Sequence, residues 1–225
     1  MKLVVVVFFV VAFLFLSCQK EIKFANTGNT NNNSSCKACA YMPMCDGSVY
    51  SYYDTTFMAS PVISSDTLQF LKDTSFNGRT YQKFITKGNV IPVYANCTNG
   101  VFRNAVLNVA ATGGTVSFEL RTINDNLPVN GIWDDTIQNG LGQTVIYKNT
   151  IKEKAVSKTV HSKTFTDVIH VETIAGVDFP PLGFVVTNKS DYYFARGTGL
   201  IEAVVANEDG SIVYQHRVIK SYNIP

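Results

Sequence analysis

Four cysteines could form covalent bridges or hold a metal ion: Cys36, Cys39, Cys45 and Cys97. In an exported protein an even number of cysteines predicts disulfides, and four allow three connectivities. We expect two bridges, one of them joining the N-terminal cluster to Cys97. Cys36 and Cys39 also have the spacing of a thioredoxin-like redox site, but such a site begins a helix, which Pro43 disfavours. A zinc site would need thiolates, which an oxidising compartment consumes.

Two groups of side chains have the types that acid–base catalysis uses. His170 and Glu172 share one face of a strand, although a solvent-facing polar edge explains them equally well. Asp134 and Asp135 resemble the paired carboxylates of glycosidases. Neighbouring side chains on an extended chain point to opposite faces, so this pair cannot flank one bond. His216 alternates with Tyr214 and Val218, which indicates a partly buried structural role.

The usual motifs of nucleophilic, zinc-protease and nucleotide-binding sites do not occur in the sequence. Gly197-Thr198-Gly199 is half of a dinucleotide-binding fingerprint, but strand-like residues surround it. These glycines are more typical of a bulge or tight bend, at which we expect at least one positive φ angle. We therefore predict no catalytic residue, no cofactor and no metal.

The aromatic residues are the remaining candidates for ligand contact. Tyr50, Tyr52, Tyr193 and Trp133 could form a stacking surface for a sugar or an apolar ligand. Tyr50 and Tyr52 share one face of a strand and Tyr53 lies on the other. Packing in the core is the favoured interpretation of these side chains, and ligand contact is the alternative.

Short β-branched and aromatic runs separated by turn signals must position these residues. Turn signals such as Asn99-Gly100 and Asp209-Gly210 recur, and no long window shows a convincing helical period. The predicted strands are 49–55, 67–72, 80–86, 90–96, 101–109, 115–121, 144–150, 155–161, 165–173, 183–187, 190–195, 200–206 and 212–222. The sequence therefore predicts an all-β fold, with an antiparallel, curved sheet or half-open barrel over residues 36–225.

Weak self-similarity suggests an internal duplication, with halves at 36–112 and 113–225. One group of positions repeats after 84 residues and another after 99. They are Thr80, Tyr81 and Ile85 with Thr164, Phe165 and Ile169, and Tyr94, Gly100, Val101 and Phe102 with Tyr193, Gly199, Leu200 and Ile201. Alternating strands also resemble one another by chance, so both explanations stay open.

The N-terminus has the order of a secretory signal. Lys2 precedes an apolar run over 3–16, and small Ser17 follows it. The run is shorter than the roughly 18 residues that indicate a membrane-spanning helix. We therefore expect residues 1–17 to be removed on export. The formal net charge of +2 falls to +1 without Lys2, so the chain has no electrostatic footprint for nucleic acid.

The residues Phe15-Leu16-Ser17-Cys18 resemble the lipobox of bacterial lipoproteins, with Phe15 where Leu is usual. The resemblance implies a lipid on Cys18 and membrane attachment through its acyl chains. Residues 18–35 are then the lipidated cysteine and a polar, Asn-rich tether that spans roughly 20–25 Å. Gln19 differs from the Asp that retains many lipoproteins at the inner membrane, which favours the outer membrane, at either its periplasmic face or the cell surface.

A second resemblance covers about 90 residues of the C-terminal half. Its motifs are GIWDD at 131–135, KTFTDVIHV at 163–171, YYFARGTGLI at 192–201 and SY at 221–222. In this order they resemble a group of uncharacterised exported lipoproteins of Gram-negative bacteria, although 162–163 lack a usual turn glycine and Thr198 replaces Val. The group resembles the half-open barrels of periplasmic lipoprotein carriers, which implies a curved apolar face but no catalytic residues.

Together these observations predict a non-catalytic outer-membrane lipoprotein that binds an apolar or glycan ligand or an envelope partner protein. A structural or scaffolding envelope subunit without a ligand pocket is the alternative. A carbohydrate hydrolase is the third hypothesis. A deep apolar cavity would favour ligand binding, whereas a single exposed apolar patch would favour the scaffold.

Overall fold

In a computed structural model, residues 39–76, 79–87, 93–111, 114–139 and 142–225 are described, and they form twelve strands and no helix. The strands are β1 (Val49–Thr56), β2 (Val62–Phe76), β3 (Arg79–Thr86), β4 (Val93–Thr98), β5 (Val101–Ala111), β6 (Gly114–Asn124), β7 (Ile132–Gln138), β8 (Thr144–Val160), β9 (Lys163–Phe179), β10 (Gly183–Ala195), β11 (Gly199–Ala206) and β12 (Val213–Asn223). The predicted all-β, antiparallel fold is confirmed. The predicted signal 1–17, Cys18, the tether and Cys36 lie outside the described residues.

All twelve strands belong to one nearly closed, barrel-like sheet. Consecutive strands pair antiparallel from β1 to β6 and from β7 to β12, and β1 also pairs with β12. That last pairing runs from Val49 opposite Asn223 to Thr56 opposite Gln215. The edge strands are β6 and β7, which follow one another along the chain.

Side chains connect the two edge strands where a backbone ladder is lacking. The backbone N–H of Arg121 donates to Oδ2 of Asp135 at 2.8 Å, and the indole N–H of Trp133 donates to the carbonyl of Arg121 at 2.9 Å. The Arg121 guanidinium also donates to Oδ1 of Asp135 at 2.8 Å. We call this contact between β6 and β7 the seam. Its side chains satisfy backbone groups of β6 that an adjacent strand would otherwise bind.

Irregular strands explain where the predicted boundaries differ from the structure. The segments 144–150 and 155–161 form the single strand β8, whose register with β9 shifts three times. Ala155, with a φ of 57°, lies in this irregular part, so the alternation of buried and exposed residues is interrupted. A register shift between Val186 and Asn188 likewise joins two predicted segments into β10. Strand β7 was not predicted, because its two adjacent aspartates are poor strand formers.

Residues 39–48, which we call the cap, cover one end of the barrel-like sheet. Tyr41, Met42 and Met44 are buried in the same core as the inward-facing residues of the strands. A disulfide joins Cys39 in the cap to Cys97 in β4, which confirms the predicted bridge from the N-terminal cluster to Cys97. Cys45 is disulfide-bonded as well.

The predicted bend at Gly197 and Gly199 is present between β10 and β11. Both glycines have positive φ angles, 70° and 107°. Next to this turn, the register of β10 with β11 shifts between residues Tyr193 and Phe194 of β10. A Cβ atom on Gly199 would lie 3.0 Å from the sulfur of Met42, so the turn also lets the cap approach closely.

The positions that suggested a duplication lie in strands six apart in the chain. Thr80 and Thr164 lie in β3 and β9, Tyr94 and Tyr193 in β4 and β10, and Val101 and Leu200 in β5 and β11. The two six-stranded halves meet at the β1–β12 pairing and at the seam. The duplication itself stays a prediction.

Candidate functional site

A cavity of about 480 Å³ lies inside the barrel-like sheet. This volume falls within the range of small-molecule sites in proteins. The cap and every strand except β4 contribute to its lining. The lining residues are Met42, Tyr52, Asp66, Leu68, Phe70, Phe84, Thr86, Phe102, Asn104, Leu120, Arg121, Thr122, Asp135, Tyr147, Asn149, Thr173, Tyr192, Phe194, Leu200 and Arg217.

The part of the cavity next to the cap is apolar. Phe102 and Leu200 are the second residues of β5 and β11, which both begin at this end of the sheet. Phe194 lies next to the last residue of β10, and the Phe70 backbone hydrogen-bonds to Gly47 and Ser48 of the cap. Aromatic and aliphatic side chains therefore surround this end of the cavity, a suitable environment for a hydrocarbon group.

Charged groups lie farther from the cap, where β12, β1 and β2 adjoin. Arg217 donates to both oxygens of Asp54, at 2.7 and 2.9 Å, and to Oδ2 of Asp66 at 2.9 Å. Burial alone would lower the pKa of Arg217, but the hydrogen bonds and charges of the two carboxylates raise it above its ordinary value. The guanidinium therefore stays charged and is shared between two carboxylates.

Strands β6 to β9 place a second polar group in the lining. Asp135, paired with Arg121 at the seam, lies opposite Tyr147 in the β7–β8 register. The Thr173 hydroxyl donates to Oδ1 of Asn149 at 2.7 Å. The Asp135–Arg121 pair and the Asn149–Thr173 pair are each held by their own hydrogen bonds, which orient this polar wall of the cavity.

Two buried polar atoms of lining residues have no hydrogen-bond partner in the protein. They are the hydroxyl oxygen of Tyr52 and Oδ1 of Asn104, whose Nδ2 donates to Thr122 at 2.9 Å. Tyr52 is fully buried, and burial raises its pKa well above the ordinary value, so its hydroxyl stays protonated. An unpaired buried hydroxyl costs roughly 1–3 kcal/mol, which a ligand could offset.

Two of the three histidines, His170 and His216, lie on the outer face of the sheet, and His161 lies in the turn between β8 and β9. His170 hydrogen-bonds to Asp191 at 2.7 Å and stacks on the Tyr193 ring at 4.2 Å. The hydrogen bond from His170 lowers the pKa of Asp191. His216 hydrogen-bonds to Glu202 at 2.8 Å. Glu172, predicted to share a face with His170, forms ion pairs with Lys152 and Lys189. The outer face is therefore a network of paired charges, the arrangement expected of a solvent-facing polar edge.

The four predicted ligand-facing aromatics are placed differently. Tyr52 lines the cavity, whereas Tyr50 is fully buried and donates a hydrogen bond to the carbonyl of Pro43. Trp133 is buried at the seam, and Tyr193 lies on the outer face, stacked on His170.

The four predicted ligand-facing aromatics do not include the cavity residue Tyr192, and the sequence did not point to Asp66 or Arg217. Tyr192 and Tyr193 are adjacent in β10, so their side chains point to opposite faces of the sheet. The choice of one of them as a ligand-facing residue therefore depended on which one faced inward. A charged residue at an inward position of a strand, as at Arg217, was the signal that could have found the polar group.

Several large apolar side chains are exposed at the end of the sheet opposite the cap, while Val129 and Ile132 are exposed at the cap end. Phe57 and Met58 follow the end of β1, Ile63 is the second residue of β2, Leu182 lies between β9 and β10, and Ile212 precedes β12. We call these five residues the rim. The backbone N–H of Phe57 donates to the carbonyl of Tyr214, which brings the first and last parts of the rim together. Large apolar side chains are therefore in contact with water at this end of the sheet.

Other kinds of site were sought in the part of the chain that the structure describes. These residues contain no cluster of three His, Cys, Asp or Glu side chains that could hold a metal ion. They also contain no helix long and apolar enough to cross a membrane.

Two solved structures are similar to this chain. One is a proposed exported protein with a YmcC-like fold from Bacteroides fragilis, with a TM-score of 0.50 and 9% sequence identity. The other is a proposed lipoprotein from Parabacteroides distasonis, with a TM-score of 0.49 and 13% identity. Each likeness covers 83% of this chain and 100% of the other. No protein-family model and no curated protein sequence matches the chain. At these identities the likeness to the B. fragilis protein concerns the fold alone.

Proposed function

We propose that this protein is an outer-membrane lipoprotein that binds an apolar or amphiphilic ligand inside its barrel-like sheet. The cavity carries this proposal, because it combines about 480 Å³ of space with an apolar end and a polar end. The carboxylates in and beside the lining are already ion-paired, Asp135 with Arg121 and both Asp54 and Asp66 with Arg217. Paired, immobile carboxylates favour binding over acid–base catalysis.

Binding can be tested with N-phenyl-1-naphthylamine, a neutral dye whose fluorescence rises in apolar surroundings. We expect saturable binding to the wild-type protein and a loss of binding in Leu120→Trp, which fills the cavity. Val185→Trp is the matched control, because Val185 is exposed and does not line the cavity, so binding should persist. No saturable signal with the wild-type protein, or equal binding by all three proteins, would contradict the proposal.

The membrane anchor rests on the lipobox-like residues before Cys18. We expect Cys18→Ser to abolish incorporation of a palmitate analogue during growth and to leave the precursor unprocessed. Ser17→Ala, which keeps a small residue before the cysteine, should be labelled normally. Labelling that persists in Cys18→Ser would contradict the lipid anchor.

A second candidate function, contact with an envelope partner, is favoured by the exposed rim. A photo-crosslinking amino acid at Met58 should then give a discrete product in cells, and one at exposed Ser162, in the turn between β8 and β9 at the cap end, should not. The same adducts from both positions would indicate random collision rather than a partner.

A further inference from the structure

We propose that the cavity accepts an amphiphile whose head group is positively charged, with its tail toward the cap and its head beside Asp66 and Tyr52. This inference rests on the proposed function and adds the chemistry of the head group. It follows from the charges around the cavity, the unpaired hydroxyl of Tyr52 and the position of the apolar lining.

The charged residues around the cavity leave one negative charge in excess. Asp66, Asp135, Arg121 and Arg217 line the cavity and balance one another in charge. Asp54 does not line the cavity, but it is buried beside it and pairs with Arg217, so the five residues together carry three negative and two positive charges. Arg121 and Asp135 neutralise each other at the seam. Arg217 contacts both remaining carboxylates and can compensate only one, so the excess charge lies where β12, β1 and β2 adjoin.

Burial makes this excess charge important for ligand choice. Asp54 is 6% exposed, and the side chain of Asp66 is 15% exposed. The dielectric constant is lower inside a protein than in water, so charges interact more strongly there. A buried charge without a compensating partner therefore raises the free energy of the folded state. A cationic head group would offset the excess, whereas a carboxylate or phosphate would add to it.

Tyr52 provides a second, independent indication of a ligand. It lies directly opposite Asp66 in the β1–β2 register, and its buried hydroxyl lacks a partner. Asn104, which also lines the cavity, has an unpaired carbonyl oxygen. An ammonium group has three N–H donors and no acceptor, so it complements a carboxylate, a hydroxyl oxygen and an amide oxygen.

The shape of the lining sets the orientation of the ligand. Phe102, Phe194 and Leu200 surround the end near the cap, whereas Asp66 and Arg217 lie farther from it. A tail directed toward the cap would therefore contact aromatic and aliphatic groups. The opposite orientation would bury an ammonium among them without a partner.

The test compares compounds that displace N-phenyl-1-naphthylamine, each used below its micelle concentration. Dodecylamine, 1-dodecanol and dodecanoate share a twelve-carbon chain and differ in head-group charge. We expect dodecylamine to bind at least about tenfold more tightly than dodecanoate, with dodecanol between them. Ethylamine tests whether the tail is needed, and we expect no displacement where dodecylamine saturates.

Two variants, Asp66→Asn and Tyr52→Phe, test whether these side chains cause the preference for a cationic head group. Asp66→Asn removes the excess charge and should abolish the preference for dodecylamine over dodecanoate. Asp134→Asn, at an exposed carboxylate of β7, is the control and should retain the preference. If Asp66→Asn does not fold, Tyr52→Phe decides: it should weaken the binding of dodecylamine more than it weakens the binding of the dye.

The outcomes separate this inference from the proposed function. If the dye does not bind the wild-type protein, the proposed function fails. If the dye binds but dodecanoate displaces it as effectively as dodecylamine does, only the head-group inference is overturned. The same holds if Asp66→Asn and Tyr52→Phe both keep the wild-type preference and the wild-type affinity for dodecylamine. If ethylamine displaces the dye as effectively as dodecylamine does, the tail is not needed. The inferred amphiphile would then be wrong, and the ligand would be a small free amine.

Discussion

At one end of the barrel-like sheet the cap buries Tyr41, Met42 and Met44, whereas at the other end Met58 and Leu182 are 75% and 79% exposed. Both ends consist of turns between antiparallel strands, so the strand topology does not account for the difference. The cap end is covered by a separate segment that a disulfide joins to β4. The rim has no such cover among the described residues.

This difference indicates that the two ends have different roles. Apolar burial, a covalent bridge and hydrogen bonds stabilise the cap end, and the apolar part of the cavity adjoins it. The rim keeps large apolar side chains in contact with water, which contributes little to stability but suits contact with another molecule. Substitutions should therefore be costly at the cap and nearly neutral for folding at the rim.

The largest effect should come from breaking the covalent attachment of the cap. Cys97→Ser removes the Cys39–Cys97 bridge, whose cysteines are 58 residues apart, and should lower the free energy of unfolding by about 2–5 kcal/mol. Denaturant unfolding under non-reducing conditions measures this loss. Reductant should destabilise the wild-type protein at least as much, and an unchanged midpoint in Cys97→Ser would contradict a stabilising role for the bridge.

The next largest effect should come from the glycine against which the cap packs. Gly199→Val places a β-branched residue at a φ of 107° and brings its Cβ within 3.1 Å of the Tyr50 ring. Gly197→Val is the matched control, because its φ is also positive but its Cβ would meet nothing within 4 Å. Left-handed strain costs each variant about 1–2 kcal/mol, and crowding should cost Gly199→Val about 1 kcal/mol more. Equal unfolding midpoints would show that the cap does not crowd Gly199.

A smaller effect should follow loss of one hydrogen bond from the cap. The Tyr41 hydroxyl donates to Asp167 at 2.7 Å, so Tyr41→Phe should lower the free energy of unfolding by about 1 kcal/mol at pH 7. The hydrogen bond from Tyr41 is the main cause of the lowered pKa of Asp167, which Arg196 also lowers.

The same hydrogen bond predicts how this effect depends on pH. A carboxyl pKa that is lower in the folded state contributes stability above the unfolded value, 3.8, and this stability is lost as the pH falls through the folded value. The difference between wild-type and Tyr41→Phe unfolding free energies should therefore shrink in acid. A difference that is the same at pH 7 and pH 2.5 would contradict this coupling.

The smallest effect should occur at the rim. Leu182→Asp replaces a side chain that is 79% exposed and should change the free energy of unfolding by no more than about 0.5 kcal/mol. Met44→Asp, at a fully buried cap position, is the contrasting variant and should prevent stable folding. A loss above about 1 kcal/mol in Leu182→Asp would mean that the rim supports the fold.

Much of the fold could be predicted because strand alternation and turn residues are local signals. Asn99-Gly100 marked the turn between β4 and β5, and the all-β prediction followed from many such pairs. The two predicted breaks that the structure does not have, within β8 and within β10, occur where a register shift interrupts the alternation, as near Ala155. These interruptions depend on the partner strand, which a single segment of sequence does not specify.

The candidate site was much less predictable, because its contacts are distant in sequence. Arg217 is separated from Asp54 by 163 residues and from Asp66 by 151. The contact of Arg217 with these aspartates depends on the pairing of β1 with β12, and no local sequence signal predicts that pairing. The choice of Tyr193 over Tyr192 as a candidate depended on knowing which face of β10 points inward, and the cavity settles this in favour of Tyr192.

The pairing of β1 with β12 also constrains how the protein is made. Strand β1 has β2 as one neighbour, but its other neighbour, β12, is synthesised after all the other described strands. Until then Asp54 lacks Arg217, and the inner face of β1 borders an open sheet edge. The N-terminal strands can associate with one another earlier, yet the native arrangement requires the whole chain. Premature termination before residue 213 should therefore yield a species that aggregates or is degraded rather than a smaller folded protein.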